Sequence, residues 1–256
     1  MTSINHVESF RQRIQAGKIC VGTEINVTDP IATEVAAEAG CDFVWIEMEH
    51  THLDLPAVMG HILAARAAQT PALVRVRWND PVLIKPVIDM APAGIIVPMI
   101  RTEEDAALAV KACRYPPEGI RGFGPLRNMY GQNSMAAYLE SAAEQVMTIV
   151  QIETTDAVRN LDAILATPGL DGIVLGRNDL SGSLGKLGQH SDPEVLRTID
   201  LVLEKASATN LYVGTSIGFN AETFKEWSQK GVQWFTFDSA LEYVAAGVES
   251  IIKATR

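Results

Sequence analysis

Short runs of β-branched and aliphatic residues recur along the chain and alternate with stretches whose apolar positions fall three and four apart. The runs are ICVGTEI (19–25), FVWIEME (43–49), ALVRVR (72–77), GIIVPMI (94–100), VMTIVQIE (146–153), GIVLG (172–176), LYVGTSI (211–217) and WFTFD (234–238). Their composition is that of strands. Between them, Val195, Ile199, Val202, Leu203 and Ala206 describe one apolar helix face, and Val244, Val248, Ile251 and Ile252 another. Asp29-Pro30, Asp80-Pro81 and Asp192-Pro193 set an N-cap acceptor ahead of a proline at the first helical position. Several strands are apolar almost continuously, as in a parallel sheet covered by helices. Eight βα units in 256 residues therefore predict an α/β fold, a single (β/α)8 TIM barrel. The periodicity alone leaves an open doubly wound sheet as the alternative.

Pro, Gly and Ser are spread evenly and no low-complexity or charge run divides the chain, so residues 1–256 read as one domain. The longest irregular stretch, RYPPEGIRGFGPLRNMYGQN (114–133), is long enough for a functional loop over the barrel mouth. Its RGFG segment is a weak candidate for cradling a phosphate on backbone N–H groups.

Composition narrows the ligands. Apolar residues make up 47% of the chain and charged ones 20%, enough for a large core and too apolar for a disordered chain. Lys plus Arg number 21 against 31 Asp plus Glu, a formal charge of minus 10 that repels nucleic acid and anionic membranes and leaves small molecules as the expected partners. Cys20, Cys41 and Cys113 lack CxxC or metal-ligand spacing and read as small buried hydrophobes. The N-terminal residues lack the apolar core of a signal peptide and no segment is apolar enough to cross a bilayer, so the expected location is cytoplasmic.

In a β/α barrel, chemistry sits at the C-terminal ends of the strands. Polar residues at those ends are Glu47, Glu49 and His50 after the second run, Arg75 and Arg77 on the third, Gln151 and Glu153 on the fifth, and Asp179 after the sixth. Neighbouring strands lie about 4.8 Å apart, so Glu153 and Asp179 can reach one ion. Two carboxylates without a Cys or His cluster suit a hard divalent cation such as Mg²⁺ or Mn²⁺. The same positions also suit a carboxylate near a helix N-terminus and an N-cap. His50 has the titration range of a general base, and Asp89 is a candidate to orient its imidazole. Arg75 inside an apolar strand needs an anionic partner or ligand. No run contains a lysine, which favours metal over imine chemistry.

These residues resemble the class II pyruvate aldolases of the HpcH/HpaI group along nearly the whole chain. IEMEH (46–50), VRVRWNDPVLIKPVID (74–89), RYPPEGIRG (114–122), VQIET (150–154) and GRNDLS (176–181) are similar, in order, to the group's segments. Among its members, the sugar-acid aldolases that cleave 2-dehydro-3-deoxy acids look most alike. The resemblance implies that His50 is the base, Asp89 its partner and Arg75 the stabiliser of transition-state charge. It implies that Gln151, Asn178 and Asp179 contact substrate, that Glu153 and Asp179 hold Mg²⁺, Mn²⁺ or Co²⁺, and that the barrels assemble as a homohexamer. Glu47 stands where the group usually has Asp, Thr23 where it often has Trp, and Arg177 where it commonly has Pro. All three are expected near the mouth, where Thr23 empties volume and Arg177 adds a cation beside the metal loop.

The implied reaction is reversible cleavage of a 4-hydroxy-2-oxo acid to pyruvate and an aldehyde through an enolate. The rival readings are an oxaloacetate decarboxylase or other C–C lyase on the same platform, and a non-catalytic barrel that binds a 2-oxo acid.

Overall fold

The computed structural model describes residues 3–256, and each of the apolar runs forms a strand. These are β1 (Cys20–Ile25), β2 (Phe43–Glu47), β3 (Ala72–Arg75), β4 (Gly94–Val97), β5 (Met147–Ile152), β6 (Gly172–Leu175), β7 (Tyr212–Ile217) and β8 (Trp234–Ser239). All pair in parallel in chain order, and β1 closes on β8. The closed barrel excludes the open sheet.

The outer layer consists of α2 (Ile31–Glu38), α3 (Leu55–Ala67), α4 (Pro81–Ile88), α5 (Glu103–Cys113), the short pair α7 (Thr155–Arg159) and α8 (Leu161–Leu165), α9 (Arg177–Ser183) with α10 (Pro193–Ser207), α11 (Ala221–Gln229) and α12 (Ala240–Thr255). Two of the three Asp-Pro signals work as expected, since Asp80 caps α4 by accepting from Val82 N–H and Asp192 caps α10 by accepting from Glu194 N–H; at the third, Asp29 accepts from Ile31 N–H but Pro30 holds the N-cap position of α2. Each such cap contributes about 1 kcal/mol. The predicted α10 face, Val195, Ile199, Val202, Leu203 and Ala206, is buried throughout.

Strand alternation separates two cores. Inward-facing Phe43, Trp45, Leu73, Ile96, Met147, Ile149, Val174 and Trp234 fill the barrel, and α1 (Val7–Gln15) closes its floor with Val7, Phe10 and Ile14. The Phe10 ring meets Phe43, Tyr212 and Trp234 edge-on, with centroids 5.4, 6.4 and 6.1 Å apart. At Gly214 a Cβ would run into the Trp234 indole, so only glycine lets that ring lie against β7.

Two expectations are corrected, and one predicted helix face is found without a partner. Residues 114–133 do not cover the mouth. They follow α5, which descends from the mouth, and together with α6 (Met135–Ser141) they lead to the start of β5, so they lie at the barrel floor. There Arg114 bonds Thr148 Oγ1 at 3.2 Å and pairs with Asp171 at 3.1 Å, while Arg127 donates to Met90 O and Asn128 to Ile88 O. RGFG is carried to the floor with them. Cys20 and Cys113 are buried, but Cys41 is half-exposed. Finally, the apolar face of α12 has no partner within the chain. Leu241, Val244, Val248, Ile251 and Ile252 are 41–65% exposed, and no residue of α12 is buried. Beside the start of α12 a cleft of about 470 Å³ opens against α2, lined by Ile25, Val35, Ala36, Cys41, Tyr243 and Val244 among others. Periodicity reveals an apolar face but not what covers it. No helix among the described residues is long and apolar enough to cross a membrane.

Candidate active site

Register and alternation direct Glu24 of β1, Glu47 of β2, Arg75 of β3 and Gln151 of β5 inward at the C-terminal ends of their strands. Glu153 follows β5 by one residue, and Asp179 lies in the first turn of α9 after β6.

A continuous chain of polar contacts crosses this end. Glu47 is fully buried; its Oε2 accepts from Arg75 Nε at 2.5 Å and from Trp45 Nε1 at 2.9 Å. Its Oε1 accepts from the backbone N–H groups of Glu49 (2.6 Å) and His50 (3.0 Å), so the same carboxylate sets the path of the chain that carries His50. Arg75 Nη1 donates to Gln151 Oε1 at 3.3 Å, and Gln151 Nε2 donates to Glu153 Oε2. Glu153 Oε1 accepts from Met99 N–H at 2.6 Å. Burial opposes the Arg75 charge, but Glu47, followed by Glu49 and Glu24, holds the guanidinium above its ordinary pKa.

Glu49 lies 3.2 Å from Arg75 Nη1, yet its Oε2 makes no hydrogen bond. Burial, with Glu153, Glu47 and Asp179 nearby and Arg75 opposing, pushes its carboxyl up to about 7. Burial also raises Glu153, opposed by the Met99 N–H and reinforced by Asp179. Glu153 is buried and Asp179 exposed, so the pair forms a ledge open to the mouth. A Cβ at position 176 would stand 2.8 Å from the Glu153 Cβ and Oε2 and 2.9 Å from Gln151 Nε2. Only glycine leaves room for Glu153 there.

This arrangement fits a hard divalent cation. The two carboxylates, which follow consecutive strands, repel one another and one is desolvated, strains that a cation would relieve. Among the described residues no group of three or more His, Cys, Asp or Glu side chains is arranged as a metal site, so water and substrate oxygens would have to complete the shell of an ion held there. Asp179 is not an N-cap, since α9 begins from Gly176.

The other expected residues divide. His50 is exposed on the loop after β2, with Nε2 3.8 Å from Glu49 Oε2. Asn178 is exposed beside Asp179. Asp89 does not meet His50 within the chain: it is the C-cap of α4, at the floor, and accepts from Arg121 Nη2 at 2.7 Å. Its helix runs from mouth to floor, which carries Asp89 to the opposite end of the barrel. Arg77 lies beyond β3, exposed, and donates to Leu53 O. Arg177 is half-buried and makes no ion pair among the described residues; burial holds its guanidinium below the ordinary pKa.

Thr23 does not face the mouth. It points outward, donates to Asp238 O at 3.2 Å and lines the cleft beside α12. The β1 residue at the mouth is its neighbour Glu24, which strand alternation counted from Gly22 would have found. No lysine lies on any of the eight strands, which leaves no strand amine for an imine.

Comparison with known proteins identifies the family. Residues 25–241 match the family described as HpcH/HpaI aldolase/citrate lyase. The chain is 35% identical over 222 residues to the 5-keto-4-deoxy-D-glucarate aldolase of Escherichia coli O9:H4 (strain HS), covering 85% of this chain and 86% of that one. Among solved structures, an HpcH/HpaI aldolase/citrate lyase family protein from Burkholderia cenocepacia J2315 is 29% identical with a TM-score of 0.88, covering 97% of this chain and 99% of that one. The citrate synthase SbnG is 30% identical with a TM-score of 0.87, covering 100% and 98%.

Proposed function

The chain belongs to the HpcH/HpaI aldolase/citrate lyase family, and on that premise we propose that it is a class II, divalent-metal-dependent aldolase. Its substrate is a 4-hydroxy-2-oxo acid of the 2-dehydro-3-deoxy sugar-acid kind, cleaved reversibly to pyruvate and an aldehyde. The observation that carries this reading is the contact chain from Glu47 through Arg75 and Gln151 to Glu153, which ends at the carboxylate ledge shared with Asp179. It joins a cation-binding pair to a buried positive charge, as enolate chemistry requires.

Glu153 and Asp179 would hold Mg²⁺, Mn²⁺ or Co²⁺, and such an ion supplies Lewis-acid polarisation of the 2-oxo group. His50 takes the proton from the C4 hydroxyl, directly or through water. The C4 oxygen forms its carbonyl as the C3–C4 bond breaks, and the bonding pair passes to the pyruvate fragment as an enolate. Arg75 faces the developing negative charge, and protonation at C3 releases pyruvate. Gln151 spends its amide on Arg75 and Glu153, so it orients both and offers substrate its second N–H; Asn178 approaches substrate from the β6 side. In the condensing direction the same steps run backwards.

Asp89 lies at the floor, so it can orient His50 only across a contact between two copies. The exposed α12 face supports such a homo-oligomer, with the α12 of a second copy covering the open cleft beside α2; the family resemblance favours a hexamer. The protein is expected to work in the cytoplasm. Condensation of pyruvate with a panel of aldehydes under Mg²⁺, Mn²⁺ or Co²⁺ tests the reading. Decarboxylation of oxaloacetate without any aldol product would replace it with a decarboxylase.

A further inference from the structure

We propose that Glu24 sorts the aldehyde fragment by charge, admitting hydroxylated uncharged aldehydes and rejecting those that carry a carboxylate of their own. The inference rests on the aldolase reading and adds a substrate class to it. In an eight-stranded barrel β1 stands across the mouth from β5. A 2-oxo acid held at Glu153 and Asp179 thus directs its far end toward β1 and β2. His50, the base for the C4 hydroxyl, follows β2. Groups beyond C4 therefore lie against the inward end of β1, where the side chain is Glu24.

That wall is acidic and has no free counter-charge. The charged groups near the half-buried Glu24 carboxyl are Glu47 on β2, Glu242 at the start of α12 and Arg75 on β3. Arg75 is already engaged, 2.5 Å from Glu47 and 3.2 Å from Glu49. Glu242 is held in a capping box with Ser239. Burial and then Glu47 push Glu24 up to about 7, with no hydrogen bond opposing the shift. A substrate hydroxyl satisfies this carboxyl in either protonation state, as donor to the anion or acceptor from the acid. An incoming carboxylate would be repelled by ionised Glu24, whose neighbours Glu47 and Arg75 neutralise one another.

The test compares kcat/KM for condensation of pyruvate with glycolaldehyde and D-glyceraldehyde against glyoxylate and succinic semialdehyde, in wild type and Glu24→Gln with Mg²⁺. Deuterium exchange into the wild-type pyruvate methyl group reads enolate formation separately from any aldehyde. Wild type is expected to exchange deuterium and to prefer the neutral aldehydes. In Glu24→Gln the ratio should move toward the carboxylated aldehydes by about tenfold, carried mainly in KM. A wild type that exchanges deuterium but prefers carboxylated aldehydes overturns the role of Glu24 alone, and does so even if the variant fails to fold. An unchanged ratio in a folded variant also overturns it. A wild type that exchanges no deuterium removes the aldolase reading and the inference with it.

Discussion

Arg75 Nε donates to Glu47 Oε2 across 2.5 Å between neighbouring strands, with Glu47 fully buried and Arg75 8% exposed. The guanidinium fork also reaches Gln151, a geometry that a lysine ammonium cannot copy. Arg75→Lys is expected to lower kcat for pyruvate release about 100-fold or more. Arg75→Ala leaves the Glu47 carboxylate buried without its partner and should cost about 3–5 kcal/mol of stability in urea unfolding. Wild-type kcat in Arg75→Lys would contradict the charge-stabilising role.

His50 distinguishes aldol cleavage from the chemistry it shares with decarboxylation. Loss of CO₂ from oxaloacetate forms the same enolate without deprotonating a hydroxyl. His50→Ala should therefore slow aldol cleavage by about 10²–10⁴-fold while oxaloacetate decarboxylation falls much less. Equal losses in the two assays would remove His50 from the base role.

Burial of Glu24 has a signed consequence for stability. Its carboxyl is raised from 4.5 to about 7, so between these pH values the folded chain binds the proton more tightly than the unfolded one. The protonated group's contribution is complete below pH 4.5 and is lost as pH rises through 7. Glu24→Gln, which mimics the neutral form, should match wild type near pH 4.5 and gain on it as pH approaches 8, in urea unfolding at a series of pH values. A constant difference would contradict the half-buried placement of Glu24.

The α12 face gives the prediction for assembly. Burying one large aliphatic side chain contributes about 1.5–3 kcal/mol, so several on one face suffice to hold copies together. Wild type is expected to be a homo-oligomer by light scattering, and Val248→Glu with Ile251→Glu to dissociate it. A monomeric wild type would contradict the proposed covering of this face.

The barrel was legible in the sequence because β-branched runs and helix faces report directly on local periodicity. Only the last residue of β8, Ser239, lies outside its predicted run. The placement of Glu153, Asp179, Arg75 and Gln151 at one end of the barrel was legible too, because position at a strand's C-terminal end determines which mouth a side chain can reach. The misreadings have separate physical sources. A period of two makes adjacent residues face opposite ways, so placing Thr23 at the mouth put Glu24 out of sight. Loop length does not say which end of the barrel a loop occupies, which misplaced residues 114–133 at the mouth, and the run of α4 from mouth to floor is what parts Asp89 from His50. The covering of α12 depends on surfaces outside one chain, which no intrachain pattern records.

The most direct measurement is pyruvate release from a 4-hydroxy-2-oxo acid before and after chelation, with borohydride added to a parallel sample. On the proposed reading, in which Glu153 and Asp179 would hold the ion and no strand lysine is present to form an imine, chelation should abolish release, Mg²⁺ or Mn²⁺ should restore it, and borohydride should leave the protein active. Release that persists through chelation, with a substrate-derived adduct trapped on a lysine, would contradict the metal-dependent account.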